Sequence, residues 1–266
     1  MMDSYWQRQH RIIHPDLARA TIIIAGLGTL GSWTAHALAH TGAQLVLFDN
    51  DGVAEENVGP QSYGPLDINL PKVDALHVQL RGFSIEGRHV RFPYPNVDQD
   101  LVVLPNAVVS CVDTFAGRLA IADWCAERNI LLIDTRMGGQ VAVVWPVYGG
   151  LSYERYITAL PRDGDVPPMP CGEEGVAFLG MWVASRVTAI LNNWFRLGSK
   201  GLPKPIMFHV GEGLDITGRE EVIQPFEIDP CFNSTEEAEA ATRWFNLGCQ
   251  YIEGRRTASR QRSPTS

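Results

Sequence analysis

One stretch constrains this chain more than any other: Ala20-Thr-Ile-Ile-Ile-Ala25 runs directly into Gly26-Leu-Gly28-Thr-Leu-Gly31. A short apolar run rich in β-branched residues that ends at glycine reads as a buried parallel strand. Ser32–Ala39 then reads as a helix and Gln44–Asp49 as the next buried strand, closing a unit of βαβ length. In that setting each glycine has a task. Gly26 permits the tight turn, Gly28 lets backbone N–H groups approach an anion, and Gly31 lets the helix lie close to the strand. The helix N-terminus favours negative charge, and Asp49 at the end of the second strand is placed to accept hydrogen bonds from ribose hydroxyls. A nucleotide is therefore expected over the turn, and a nicotinamide dinucleotide is the default until the downstream residues are read.

Residues 50–71 form a polar loop with three prolines, too long for a simple connector. Beyond it Lys72–Arg81 has helical spacing, Ala107–Val112 reads as a strand, Arg118–Glu127 as a helix and Ile130–Asp134 as another strand. This alternation predicts an α/β fold with a Rossmann-like doubly wound sheet, mainly parallel in its N-terminal half. After Gln140–Trp145 the chain reads as irregular to Pro170, then as a long apolar helix over about Glu173–Phe195. Strands near Ile206–Val210 and Glu221–Ile228 give the C-terminal half antiparallel character. Ser234-Thr-Glu-Glu237 matches a capping box opening a helix that carries Trp244, Phe245 and Tyr251, either buried against the body or docking a partner. One domain is expected over residues 1–254, with a nucleotide-binding half at about 18–135 and a partner-binding half at about 136–254. Residues 255–266 read as a disordered tail.

Charge narrows the possible partners. Removing the four arginines of the tail from the net charge of −8 leaves −12 on residues 1–254, which argues against a nucleic-acid-binding body. No long uncharged apolar run and no signal-peptide core occur, so neither membrane nor export is expected and the chain is placed in the cytoplasm. Five cysteines without any Cys-x-x-Cys suggest isolated thiols, with Cys111 and Cys125 in an apolar strand and a helix read as inert core groups. His36 and His40 lie four apart on the first helix but lack the further ligands of a zinc site, and read as surface or helix-end residues.

Four segments in order, GLGTLGSWTAHALAHTGA (26–43), LVLFDNDGVAEENVGPQ (45–61), LPKVDAL (70–76) and VVSCVDTFAGR (108–118), resemble the ThiF/MoeB/HesA family, to which ubiquitin-activating enzymes also belong. The resemblance implies ATP and Mg2+ as cofactors and adenylation of the C-terminal glycine of a ubiquitin-like small protein. It matches Asp49 to the ribose-binding acid, Asp51 to the second acid of an Asp-x-Asp, Asn57 and Gln61 to an Asn-x-x-Arg-Gln motif, Lys72 to an ATP-contacting lysine and Asp113 to the magnesium-binding aspartate. The chemistry suits those roles, because a carboxylate attacking an α-phosphate meets anion repulsion that only cations and a metal relieve. Arg8-Gln-His-Arg11-Ile-Ile resembles the family's N-terminal segment, in which the residue matching Arg11 reaches the ATP of the other subunit of a homodimer.

Two departures from the family pattern and one further match matter. Pro60 stands where the family has its motif arginine, so either another cation such as Arg136 serves or turnover is impaired, and Arg136 has the alternative of pairing with Asp134. The family's two zinc-binding Cys-x-x-Cys pairs are absent. Tyr153-Glu-Arg-Tyr156 takes the place of the first and Cys231 is left of the second, so no tetrahedral zinc is expected, and aromatic packing can serve as the local staple instead. Pro170-Cys171-Gly-Glu-Glu-Gly-Val176 matches a family loop, and for Cys171 two readings stay open: a covalent role, taking the activated glycine as a thioester or joining a persulfide relay, and a conformational or packing role. Two rival readings remain: a tRNA-modifying dehydratase of the same superfamily, and a nucleotide-binding scaffold with weak catalysis.

Overall fold

The computed structural model of the chain describes residues 8–138, 141–161 and 175–209, with the short strand Phe226–Glu227. The strands are β1 (Thr21–Ala25), β2 (Gln44–Phe48), β3 (Ile85–Arg88), β4 (Ala107–Ser110), β5 (Leu131–Gly138), β6 (Val141–Val147), β7 (Ile206–His209) and β8 (Phe226–Glu227). They form one sheet in the order β3-β2-β1-β4-β5-β6-β7-β8. The pairs from β3 to β5 are parallel and those from β5 to β8 antiparallel. The sheet is thus Rossmann-like at the N-terminal end of the chain and antiparallel beyond it, as the alternation of elements implied.

The helices are α1 (Thr29–Ala39), α2 (Lys72–Gln79), α3 (Val97–Asp100), α4 (Phe115–Arg128), α5 (Gly150–Ala159) and α6 (Ala177–Leu197). Alternate residues of each central strand serve opposite cores, which is why the strands read as continuous apolar runs. Ile22, Ile24, Leu45 and Val109 face Leu38 of α1, Leu76 of α2 and Val183 and Val187 of α6. Ile23, Val46, Val108 and Leu132 face Ile121 and Cys125 of α4 and Tyr153 and Tyr156 of α5. Helix α6 lies so close to α1 that a Cβ on Gly180 would stand 2.8 Å from the Thr29 carbonyl oxygen.

Some elements differ from the sequence reading. Helix α4 begins at Phe115 rather than Arg118 because Thr114 caps it, its hydroxyl accepting the Gly117 N–H at 3.2 Å. Helix α5 occupies a stretch read as irregular, and it buries Tyr153, Tyr156 and Ala159 on one face. Residues 234–254, the tail, Cys171, Cys231 and Cys249 lie outside the described residues.

The two tyrosines of α5 tie the helix to the sheet. Tyr153 donates its hydroxyl to the Ile130 carbonyl at 2.5 Å, and the buried Tyr156 ring meets Trp145 edge-on at 5.2 Å. His36 bonds Gln79 at 2.9 Å and His40 sits edge-on to Phe83 at 4.8 Å, so both are accounted for by packing.

Candidate functional site

The chain leaves β1 for β2 on one side and returns through β4 on the other, so the crevice above the C-terminal ends of β1 and β4 is the topological switch point. The glycine turn forms one wall. Gly26 has φ +87, and a Cβ on it would stand 2.7 Å from the Cys111 carbonyl oxygen. A Cβ on Gly31 would stand 1.8 Å from the Gly26 carbonyl oxygen, so Gly31→Ala should cost about 1–3 kcal/mol or more, read as a lowered urea midpoint, and displace the turn. Gly28 differs: among the described residues nothing lies within 4 Å of the Cβ position, and no side chain caps the α1 N-terminus that it opens. The cradle is open above the backbone amides, as an anion requires.

Asp49 does more than its spacing suggested. One carboxylate oxygen accepts the Leu27 N–H at 2.6 Å and the other accepts the Asp51 N–H at 2.7 Å, so the residue braces the glycine turn against the end of β2. Burial raises its pKa, against the lowering effect of those two bonds and of Lys72. Each oxygen retains a lone pair for a ribose hydroxyl. Tyr63, which sequence reasoning passed over, donates its hydroxyl to the Leu27 carbonyl at 2.9 Å and pins the same turn from the long loop.

That loop is fastened to α1. The Trp33 indole donates to the Pro60 carbonyl at 3.1 Å, and the Ser62 N–H donates to the Ser32 hydroxyl at 3.1 Å. The Asn57 side-chain oxygen accepts the Ala54 N–H at 3.0 Å, and the Asn57 carbonyl accepts the Gln61 N–H at 3.0 Å. The Gln61 Oε1 is buried without a hydrogen-bond partner among the described residues, which leaves it for a ligand or water. Lys72 opens α2 with its side chain largely buried, its backbone N–H bonded to the Asp51 carbonyl at 3.0 Å and its ammonium 3.6 Å from the Asp51 carboxylate. With Asp51 61% exposed, that ion pair is loose enough to yield to a phosphate.

Asp113 follows β4 on the other side of the switch point, exposed, and makes no hydrogen bond or ion pair among the described residues. No group of three or more metal-ligating side chains occurs among the described residues. A single carboxylate suits magnesium that arrives on a nucleotide, since this ion keeps several waters and shares its remaining positions with phosphates.

Arg136 resolves into one of its two alternatives. Its Nε donates to Asp134 at 2.7 Å, it is buried, and Asp134 is also held by Arg118. Burial alone would raise the Asp134 pKa, but the two guanidiniums hold it below the ordinary carboxylate range. Arg136 is therefore committed to Asp134, and the position of Pro60 serves through its carbonyl as a strut for Trp33.

Cys111 and Cys125 are core thiols, burial pushing the first up to about 12 and the second further. Arg11 is exposed, and its segment docks at the far end of α1. Gln9 donates to the His40 carbonyl at 2.6 Å, while Asn192 and Arg196 of α6 donate to the Ile12 carbonyl at 3.0 and 2.7 Å. The length of α1, roughly 16 Å, separates that end from the glycine turn of the same chain. A cavity of about 580 Å3 lined by Trp145, Tyr148, Arg155 and Lys204 lies at the other end of β6 and contains none of these site residues.

Comparison with known proteins supplies the family and the fold. The ThiF family description matches residues 12–201. The chain belongs to the ThiF family. The tRNA threonylcarbamoyladenosine dehydratase of Escherichia coli (strain K12) is 32% identical over 131 residues, which are 47% of this chain and 49% of that protein. Ubiquitin-like modifier-activating enzyme 5 of Branchiostoma floridae is 29% identical over 147 residues, 47% of this chain and 36% of that protein. This ThiF-family chain thus spans half or less of the length of these curated relatives. Among solved structures, E. coli MccB with ATP superposes with TM-score 0.60 at 17% identity over 78% of this chain and 68% of that one. PaaA gives TM-score 0.59 at 18% identity over 79% and 71%. These structures share the fold. Among the described residues no helix is long and apolar enough to cross a membrane.

Proposed function

We propose that this ThiF-family chain is an adenylyltransferase that uses ATP and Mg2+ to activate a carboxylate, the C-terminal carboxylate of a ubiquitin-like small protein, in the cytoplasm. The observation that supports the reading most is the open glycine cradle after β1, with Lys72 beside Asp51 after β2 and, after β4, an exposed Asp113 that makes no hydrogen bond or ion pair among the described residues. Gly28 and the α1 N-terminus would seat phosphates, Asp49 the ribose, and Asn57 and Gln61 a phosphate or the incoming tail. Lys72 would leave Asp51 for the phosphates as negative charge builds there. Asp113 would hold Mg2+ delivered with the nucleotide, which supplies the charge that pyrophosphate needs as it leaves. A carboxylate oxygen attacks the α-phosphorus, the bond from that phosphorus to the oxygen bridging to the β-phosphate breaks, and an acyl adenylate and pyrophosphate result.

Activity in this reading needs a homodimer, because Arg11 sits at the end of α1 remote from its own glycine turn and would serve its neighbour's site. Arg11→Ala and Lys72→Met, each inactive alone, should recover about a quarter of wild-type turnover when refolded together, since half of the dimers then hold one intact site. No recovery would rule out sharing between subunits.

A second reading, a tRNA-modifying dehydratase, is favoured by the 32% identity to the E. coli enzyme. The acidic body opposes it. Protein incubated with Mg2+ and ATP, and with either glycine-terminated ubiquitin-fold proteins from the same genome or total tRNA, separates the two. Pyrophosphate release only with the protein partner supports the first reading, release only with tRNA supports the second, and absence of release with both rejects adenylation.

A further inference from the structure

We infer that Arg118, set by Asp134, is the positioning residue that aims Asp113, an inference resting on the reading of Asp113 given above. The exposed Asp113 carboxylate makes no hydrogen bond or ion pair among the described residues, so its direction follows from the backbone of residues 111–114. That backbone is held at several points. The Cys111 N–H donates to the Ala25 carbonyl at 2.8 Å, Thr135 Oγ1 reaches Cys111 Sγ at 3.2 Å, and Thr114 accepts the Gly117 N–H at 3.2 Å. Arg118 Nη2 donates to the Val112 carbonyl, which belongs to the planar peptide whose nitrogen is that of Asp113. Holding this carbonyl fixes the plane from which the Asp113 side chain departs.

Arg118 owes its own orientation to what lies beneath it. Its Nη1 donates to Asp134 Oδ1 and to the Thr135 carbonyl, the latter at 2.8 Å. Arg136 takes the other Asp134 oxygen at 2.7 Å and is enclosed by the rings of Phe115, Trp145 and Tyr156 at 5.7, 5.8 and 5.7 Å. Asp134 therefore cannot turn, and the rigid guanidinium fork of Arg118 carries its orientation to Val112. A buried ion triad adds little stability over an apolar core of the same volume. What this one adds is a defined direction for the strand-to-helix turn. The aromatic staple of α5 is joined to the same network through Tyr156.

Arg118→Lys keeps a cation beside Asp134 but loses the planar fork that spans Asp134, Thr135 and Val112. In metal-free, nucleotide-free protein, hydrogen–deuterium exchange over residues 111–116 should rise in the variant while that of β1 stays unchanged. In ATP-saturated protein the Mg2+ half-saturation should rise about tenfold, as for other groups that orient a metal ligand, with ATP affinity in EDTA within about twofold of wild type. In an Asp113→Asn background the substitution should leave Mg2+ half-saturation unaltered. Unchanged exchange and Mg2+ dependence in a folded variant would overturn the inference, as would an equal loss of ATP and Mg2+ binding with exchange raised throughout the chain. If Arg118→Lys does not fold, Thr135→Val loosens the same turn from the Cys111 side and should give a smaller rise in both readouts, and no rise overturns the inference. A wild-type protein whose ATP binding ignores Mg2+ would reject the reading of Asp113, while the exchange comparison still decides whether Arg118 holds the turn.

Discussion

Lys72→Met should slow Mg2+-dependent ATP–pyrophosphate exchange by on the order of 10²–10³-fold, the loss found when one preorganised charge-stabilising group is removed from a transition state. The side chain is largely buried along its stem, and methionine preserves that apolar part. The ammonium's partner, Asp51, is mostly exposed and returns to water when the cation is lost, so thermal unfolding should be nearly unchanged. A catalytic loss without a stability loss is thus expected. A variant that melts far below wild type, or one that exchanges pyrophosphate at the wild-type rate, would remove Lys72 from the phosphate site.

The largest stability effect is expected at Asp134. Asp134→Asn leaves the buried guanidiniums of Arg118 and Arg136 without a counter-charge, which costs about 3–5 kcal/mol. Urea denaturation followed by tryptophan fluorescence measures it. The pH dependence follows from the direction of the shift. Because the folded pKa of Asp134 lies below the unfolded value of about 3.9, its contribution is fully present above that value and is lost as pH falls through the folded pKa. Wild type and variant should therefore differ by a constant amount between about pH 5 and 7 and begin to converge only below about pH 4, as pH falls toward the folded pKa. A difference that does not shrink in acid would mean that the carboxylate charge is not what holds the two arginines.

Much of the N-terminal half was legible because its signals are local. The apolar run of β1, the glycine spacing and the acid ending β2 each follow from strand and turn chemistry within a few residues. The missed elements carried weaker local signals. Strand β3 mixes Glu86, Gly87 and Arg88 at a partly exposed position, and α3 is a single polar turn. Helix α5 did carry a signal, Tyr153, Tyr156 and Ala159 at three-residue spacing, hidden behind the glycine pair that precedes it. The site itself was legible in its residue types and not in its bracing. That Asp49 holds Leu27, that Tyr63 reaches the same turn across 36 positions, and that the carbonyl of Pro60 supports Trp33 are contacts between segments whose separation no local pattern encodes. Arg136 had two alternatives in the sequence, and burial beside Asp134 chose between them.

The missing arginine at Pro60 sharpens the electrostatic problem. With Arg136 committed to Asp134 and Arg11 at the far end of α1, the groups among the described residues left to meet the phosphates of a bound nucleotide within one chain would be backbone amides, Lys72 and metal held at Asp113. Removing either side chain should therefore be felt more strongly than in a site with a further cation.

The central claim is that ATP is cleaved between its α- and β-phosphates at the glycine turn. Resolving the nucleotide products by chromatography after incubation with Mg2+ and the panel of ubiquitin-fold proteins tests it most directly. AMP and pyrophosphate, formed only with Mg2+ and lost in Lys72→Met and Asp113→Asn, is the result this account predicts. ADP and phosphate as products, or binding of a nicotinamide dinucleotide with no turnover of ATP, would contradict it.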